Sequence, residues 1–200
     1  MNIIKRIWLT SICLITACAA PQRSVLESPV EPVQPTKPVT RMASTLSAWD
    51  INGAIAAKSG KKAWTASLNW HQQAVNQYQI RLFGPLGGGS VIIEQRGTAV
   101  TYRDGPEAIT STHADDLLQK KTGVRLPVKN LYYWVRGIPA PASVQSAAYD
   151  SDHRLISLHQ AGFTIDYPAY TAVGGMNLPS KIRLQGHDVL IKLVIKHWDV

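Results

Sequence analysis

Cysteine is nearly absent from this sequence. The only two, Cys13 and Cys18, lie close to its start, so neither a disulfide framework nor a cysteine-based zinc site can organise the rest of the chain. Charge is sparse too, at 17% of residues. No heptad, Gly-X-Y or longer repeat occurs, which excludes coiled-coil, collagen-like and solenoid architectures. Six histidines, at 71, 113, 153, 159, 187 and 197, show neither His-x-x-x-His nor His-Glu-x-x-His spacing, so no zinc site is expected. No serine sits in a Gly-x-Ser-x-Gly elbow. The segment Gly84-Pro85-Leu86-Gly87-Gly88-Gly89-Ser90 has phosphate-loop glycines but Ser90 where the lysine belongs, which argues against a nucleotide site. Asp115 and Asp116 are adjacent and would point about 100° apart on a helix, a poor acid–base pair and a good solvated first turn. Asp152, His153 and His159 could meet in space, but nothing in their spacing predicts it, and surface hydrogen bonding is the expected role.

Apolar residues are plentiful by contrast, at 45% of 200, enough for the core of one compact domain with tails. Lys5 and Arg6 precede an apolar run from Ile7 to Ile15, too short to cross a bilayer as a stable helix and suited to a signal-peptide core. The run ends in Ile15-Thr16-Ala17-Cys18, which resembles the bacterial lipobox: an aliphatic residue, two small residues, then cysteine. That resemblance implies cleavage before Cys18, diacylglycerol on its sulfur and a third acyl chain on the new amino terminus. The plainer alternative is a secreted protein with a spare thiol, although no cysteine would remain to pair with it. Ala19, in place of the Asp that commonly retains lipoproteins in the inner membrane, favours the outer membrane. Cleavage removes Lys5 and Arg6 and no acid, so the charge falls from +8 to +6, with 19 bases against 13 acids. Such an excess suits an anionic membrane surface or an acidic partner. It forms no basic run interleaved with aromatics, so nucleic acid is not an expected partner.

Residues 19–47 hold five of the twelve prolines and few large apolar residues, and read as an extended tether with at most a short helix near 40–48. From Trp49 onward period-2 alternation dominates, the mark of strands buried on one face. Trp64, Ala66, Leu68 and Trp70 share a face; so do Tyr78, Ile80 and Leu82, then Phe163, Ile165 and Tyr167, then Ile182 and Leu184. The run from Val189 to Ile195 is apolar on both faces and predicts a strand covered on both sides. Two helices interrupt the strands. One covers 113–123, with Thr112 as N-cap and Gly123 as stop; the other covers 128–136 after Pro127. The expected fold is mainly β with short α-helices: one strongly curved, unclosed antiparallel barrel with helices packed over it. Curved sheets of this kind can hold a ligand in the apolar space beneath their helices.

Between the strands around 78–83 and 90–94, Leu86 sits in a loop of prolines and glycines. It either folds back into the core, as most leucines do, or is displayed to touch lipid. One fully buried leucine contributes roughly 1.5–3 kcal/mol, too little to anchor a protein but useful to one already tethered.

An ordered set of segments resembles the outer-membrane lipoprotein receptor LolB family. After the lipobox and the Pro-rich tether come Trp49-Asp50-Ile51-Asn52-Gly53, Trp64-Thr65-Ala66-Ser67-Leu68-Asn69-Trp70, and Tyr78-Gln79-Ile80-Arg81-Leu82 leading into Gly84-Pro85-Leu86-Gly87. Gly123-Val124-Arg125-Leu126-Pro127, Leu131, Trp134-Val135-Arg136-Gly137-Ile138-Pro139, Leu178-Pro179-Ser180-Lys181-Ile182-Arg183-Leu184 and Trp198 follow. The resemblance spans about 49–198. The three-glycine run after Leu86 departs from it and would make that loop more mobile.

The resemblance implies a signal peptide at 1–17, a lipidated Cys18 and tether at 18–47, and one lipoprotein-binding domain at 48–200. Its helices would form a lid over an apolar cavity. It further implies an outer-membrane lipoprotein, monomeric and facing the periplasm, that accepts triacylated lipoproteins from the carrier LolA. It would insert them into the inner leaflet of the outer membrane through the loop Pro85, Leu86 and Gly87. No catalytic residue, metal or cofactor is expected, only the covalent lipid on Cys18 and the transient acyl chains of cargo. The expected cavity wall is Ile51, Ile55, Leu68, Trp70, Tyr78, Ile80, Leu82, Leu117, Leu118, Leu131, Trp134, Ile165, Ile182 and Leu193. Alternation assigns these residues a face, so each can equally fill a packed core. The competing readings are a scaffold lipoprotein that binds another envelope protein through a sheet edge, and an envelope hydrolase.

Overall fold

The computed structural model describes residues 43–84, 89–124 and 127–200. Cys18 and loop residues Pro85, Leu86 and Gly87 lie outside them. Residues 43–45 form a helical turn just before the first strand. β1 (Trp49–Ser59) and β2 (Lys62–Ala74) make a long hairpin, paired from Trp49 opposite Gln72 to Ser59 opposite Lys62. β3 (Gln77–Phe83), β4 (Ser90–Arg96), β5 (Ala99–Asp104) and β6 (Glu107–Ser111) continue outward, each antiparallel to the one before. Helices α1 (Ala114–Thr122) and α2 (Val128–Trp134) then carry the chain across. β7 (Val144–Tyr149), β8 (Leu155–Gln160), β9 (Phe163–Val173), β10 (Met176–Gly186) and β11 (Val189–Asp199) return inward until β11 pairs with β1. The order β6-β5-β4-β3-β2-β1-β11-β10-β9-β8-β7 leaves β6 and β7 as edges of an unclosed antiparallel sheet.

The sheet must curl. Ile93 on β4 and Leu184 on β10 line one small space, yet they lie five strand spacings apart in the order, about 24 Å in a flat sheet. Alternation accounts for which side chains turn inward: Leu68, Trp70, Tyr78, Ile80, Leu82, Phe163, Ile165, Tyr167, Ile182 and Leu184 are all buried in one core. The register also places the turns. Those at 60–61, 105–106, 161–162 and 187–188, with the ends of β3 and β4 that flank 84–89, gather at one end of the sheet. Trp49, where the chain joins the sheet, and the turns at 75–76, 97–98 and 174–175 lie at the other.

One irregularity is written into the sequence. β1 and β11 slip register at Asn52/Gly53. A Cβ on Gly53 would lie 2.0 Å from the Val194 carbonyl oxygen, so only glycine allows so close a backbone approach.

Three expectations are corrected. β11 is covered on one face, not two: Lys192 is exposed and Val194 is 39% exposed, because α2 packs on the inner side of the sheet. α1 begins at Ala114 with His113 in the cap position and no side-chain cap bond. Thr112 is drawn aside instead, its Oγ1 lying 3.2 Å from the His113 ring. α2 stops at Trp134, and the chain turns through Gly137 at φ 73°. Gly123 ends α1 as expected: at φ 75° its N–H reaches the Gln119 carbonyl, with Lys120 and Lys121 in the last turn.

Candidate functional site

The inner face of the curled sheet and one side of α2 enclose a space lined only by apolar side chains. Ile55 contributes from β1, Leu68 and Trp70 from β2, Ile80 and Leu82 from β3, and Ile93 from β4. Leu184 comes from β10, Ile191 and Leu193 from β11, and Val128 and Leu131 from α2. Its volume is about 30 Å³. That is room for about two waters, and with no polar group to hold them such a space stays dry. It cannot take an acyl chain without outward movement of its wall. Nine of the eleven wall residues are on the hydrogen-bonded sheet, and the other two are on the short helix α2.

Of the residues expected to wall a cavity, Ile55, Leu68, Trp70, Ile80, Leu82, Leu131 and Leu193 lie on this space. Ile51, Tyr78, Leu117, Leu118, Trp134, Ile165 and Ile182 are buried in the surrounding core and do not border it. Ile93, Val128, Leu184 and Ile191 line it without having been singled out. Leu184 was legible, since it alternates with Lys181-side polar positions on the same face as Ile182. Ile93 sits in the uniform run Val91-Ile92-Ile93, where alternation carries no signal.

Below Trp70 the end of the sheet near Trp49 is closed by aromatics. Trp49 packs edge-on against Trp70 at 4.9 Å and Trp198 at 5.5 Å between ring centroids, and Trp70 lies 6.3 Å from Tyr78. Trp70 Nε1 donates to Gln72 Oε1, and Trp198 Nε1 to the Pro179 carbonyl. Among the described residues, Trp49 Nε1 and the hydroxyls of Tyr78 and Tyr167 are buried with no hydrogen-bond partner. Burial pushes both tyrosine hydroxyls well above their ordinary pKa, and Asp115 adds to the effect at Tyr78.

Two polar groups hold the helical cover. Gln160 is fully buried. Its Oε1 accepts from Trp134 Nε1 and the Ala140 N–H, both at 2.8 Å, and its Nε2 donates to the Ala140 and Ala142 carbonyls at 2.9 and 3.0 Å. Arg136 is 2% exposed. Its Nε donates to the Tyr132 carbonyl at 3.0 Å, and its Nη1 to the carbonyls of Ala43 and Leu46. Its guanidinium stacks over Tyr132 and Tyr133, 4.1 and 5.4 Å from the ring centroids. Burial lowers its pKa.

The outer face is different in kind. Shallow grooves of about 400 Å³ run over Ala54, Ala56, Ser67 and Val194, where small side chains leave the backbone uncovered. Another groove of about 400 Å³ is polar, with Asp50, Asn52, Asn69, His71, Arg81, His197 and Asp199 around it. The Asp50 carboxylate meets His71 Nδ1 at 2.5 Å, both largely exposed. No group of three or more ligating side chains able to hold a metal occurs among the described residues. Asp150 is engaged with Arg154 at 2.7 Å, and Asp152 with Arg154 at 3.2 Å, while His159 is exposed on β8. Phe83 pairs with Ser90, and the Gly84 N–H reaches the Gly89 carbonyl at 3.3 Å. The connection between β3 and β4 is therefore pinched at its base.

A family model described as outer membrane lipoprotein LolB matches residues 47–198. The outer-membrane lipoprotein LolB of Pseudomonas savastanoi pv. phaseolicola is 36% identical over 189 residues, 94% of this chain and 91% of that protein. That of Stutzerimonas stutzeri is 37% identical over 202 residues, 99% and 97%. That of Coxiella burnetii is 38% identical over 156 residues, 78% and 73%. A LolA superfamily protein from Nitrosomonas europaea superposes with a TM-score of 0.47 at 9% identity, over 77% of this chain and 86% of that one.

Proposed function

The chain belongs to the outer membrane lipoprotein LolB family, an outer-membrane lipoprotein of lipoprotein localisation, and from that premise we propose that its apolar space takes the acyl chains of cargo lipoproteins from a LolA-type carrier. The domain then releases them into the inner leaflet of the outer membrane. The observation that carries this reading is a wholly apolar space closed by one short helix. Each buried CH₂ contributes about 0.8 kcal/mol, so a long acyl chain is worth on the order of 10 kcal/mol and does not cross water uncovered. Transfer needs only a receptor that covers the chains better than the carrier does. No bond is made or broken, and no catalytic residue, nucleotide or cofactor has a part in it.

In this reading residues 1–17 are the signal peptide, 18–47 the lipidated Cys18 and tether, and 48–200 the binding domain. Leu86, flanked by Pro85 and Gly87, is the residue that touches the bilayer. The seven expected residues that border the space form the wall against which acyl chains lie, with Ile93, Val128, Leu184 and Ile191 added. The test is transfer itself. The chain carrying Cys18→Ala is mixed with a carrier–lipoprotein complex, and pull-down reports which protein holds the lipoprotein. Movement to this chain without ATP is expected. No movement to a folded chain would overturn the receptor reading and leave the scaffold reading.

A further inference from the structure

An arginine with its side chain out of water and without an ion-pair partner is costly unless every part of it is engaged. Arg136 has no carboxylate partner among the described residues; tyrosine faces and backbone carbonyls surround it instead. Two of those carbonyls, of Ala43 and Leu46, lie more than 85 residues away in sequence. They belong to the stretch immediately before β1, where the expected tether ends. Ala43 is buried and Leu46 packs against the core, so that stretch is itself docked. The Tyr132 hydroxyl makes a long contact of 3.5 Å to the Ser47 carbonyl from the same helix. Arg136 follows α2 by two residues, and α2 supplies Val128 and Leu131 to the apolar space. Outward movement of α2 must therefore either drag residues 43–47 along or break their bonds to Arg136. Gln160 holds the other side of the cover to β8, through Trp134 and Ala140.

We propose that Arg136 is a latch: it ties the end of α2 to the carbonyls of Ala43 and Leu46, so that displacement of residues 43–47 frees α2 and opens the apolar space to an acyl chain. This rests on the acyl-binding reading of that space. Arg136 is a positioning residue here, acting on cargo through α2. The arrangement makes the state of the tether felt at the cavity. A domain whose tether end is docked is shut, and one whose tether end is pulled away accepts or releases lipid.

The latch is tested by hydrogen exchange on the chain carrying Cys18→Ala, alone and combined with Arg136→Leu, Arg136→Lys or Ala43→Glu. Ala43→Glu puts a charge at a buried position and expels the segment while leaving Arg136 intact. Exchange of the amides of 131–135 is expected to accelerate at least tenfold in Arg136→Leu and in Ala43→Glu, with β1 and β11 unchanged. Arg136→Lys, which keeps the charge but loses the planar fork, should fall between them and the parent. Unchanged exchange in α2, or equal acceleration throughout the sheet, would overturn the latch, the second because it marks general destabilisation. Uptake of a fluorescent fatty acid is followed in parallel and should accelerate in the same variants. Faster exchange in α2 with no uptake by any variant would overturn the acyl reading and, with it, the latch's part in acceptance.

Discussion

Gln160→Leu is the most informative single change in the cover. Leucine keeps nearly the same volume but removes an acceptor and a donor that together serve four groups. Those groups do not suffer equally. The Ala140 carbonyl keeps a partner, because the Ala142 N–H reaches it at 2.7 Å. Ala142 is exposed, so its carbonyl can turn to water. The indole N–H of Trp134 and the backbone N–H of Ala140 are left, both in residues that are buried. Each buried donor without an acceptor costs about 1–3 kcal/mol. Part of that is offset by the better transfer of a leucine than an amide into the core, for a net loss of about 2–4 kcal/mol. For a domain of this size that is a fall in Tm of about 4–16 °C. Urea unfolding followed by tryptophan fluorescence should show a lower midpoint at unchanged slope. The double variant Trp134→Phe, Gln160→Leu should show coupling, since it leaves only the Ala140 N–H stranded. A loss below about 1 kcal/mol, or strictly additive single and double variants, would refute the reasoning.

Three further outcomes follow from named groups. Gly53→Ala should cost at least about 2 kcal/mol in urea unfolding, because its methyl would meet the Val194 carbonyl and the bulge cannot move without breaking the β1–β11 pairing. Stability should fall as the pH rises above about 10, the ordinary tyrosine value. The fold keeps Tyr78, Tyr167 and Tyr170 protonated beyond the pH at which the unfolded chain ionises them. Tyr167→Phe should make that alkaline loss shallower in a pH series of unfolding curves. On the proposed role of Leu86, Leu86→Glu should leave the unfolding free energy within about 0.5 kcal/mol of the parent, yet leave accepted lipoprotein outside vesicles in a flotation assay; normal insertion would remove the loop from the mechanism.

Much of the fold was legible because a sheet with one wet face writes itself as alternation. Trp64 to Trp70 and Tyr78 to Leu82 assign faces without ambiguity, and the family resemblance rests largely on those same segments. The pattern failed where residue type and environment part company. The outward positions of β11, Leu190 and Val194, are apolar by composition yet half-buried and exposed respectively, so periodicity alone predicted a second layer that is not there. β6 and β7 gave no alternation because, as edges, they bury almost nothing. Among the site residues, a face could be read but a gap could not. Ile55 and Ile51 look alike in sequence, yet the first borders the space and the second fills core. Arg136 and Gln160 were beyond reach for another reason. Most of what holds each of them is main chain, whose positions no side-chain pattern encodes.

The opposite placement of Trp49 and the β3–β4 connection has a consequence for how the molecule can stand on a bilayer. The register sets Phe83, where that connection begins, level with Ser67 and Ala54, five residues along β1 from Trp49, so the two points lie about 17 Å apart along the strands. If Cys18 carries the lipid, as proposed, the 25 residues from there to Ala43 reach at most about 90 Å. A tether of that reach would leave the domain free to turn the β3–β4 connection toward the bilayer, as the proposed function requires. Cut to fewer than about five residues, it could no longer span that distance. On the proposed role of Leu86, such a domain would fold and receive cargo but could not put it down.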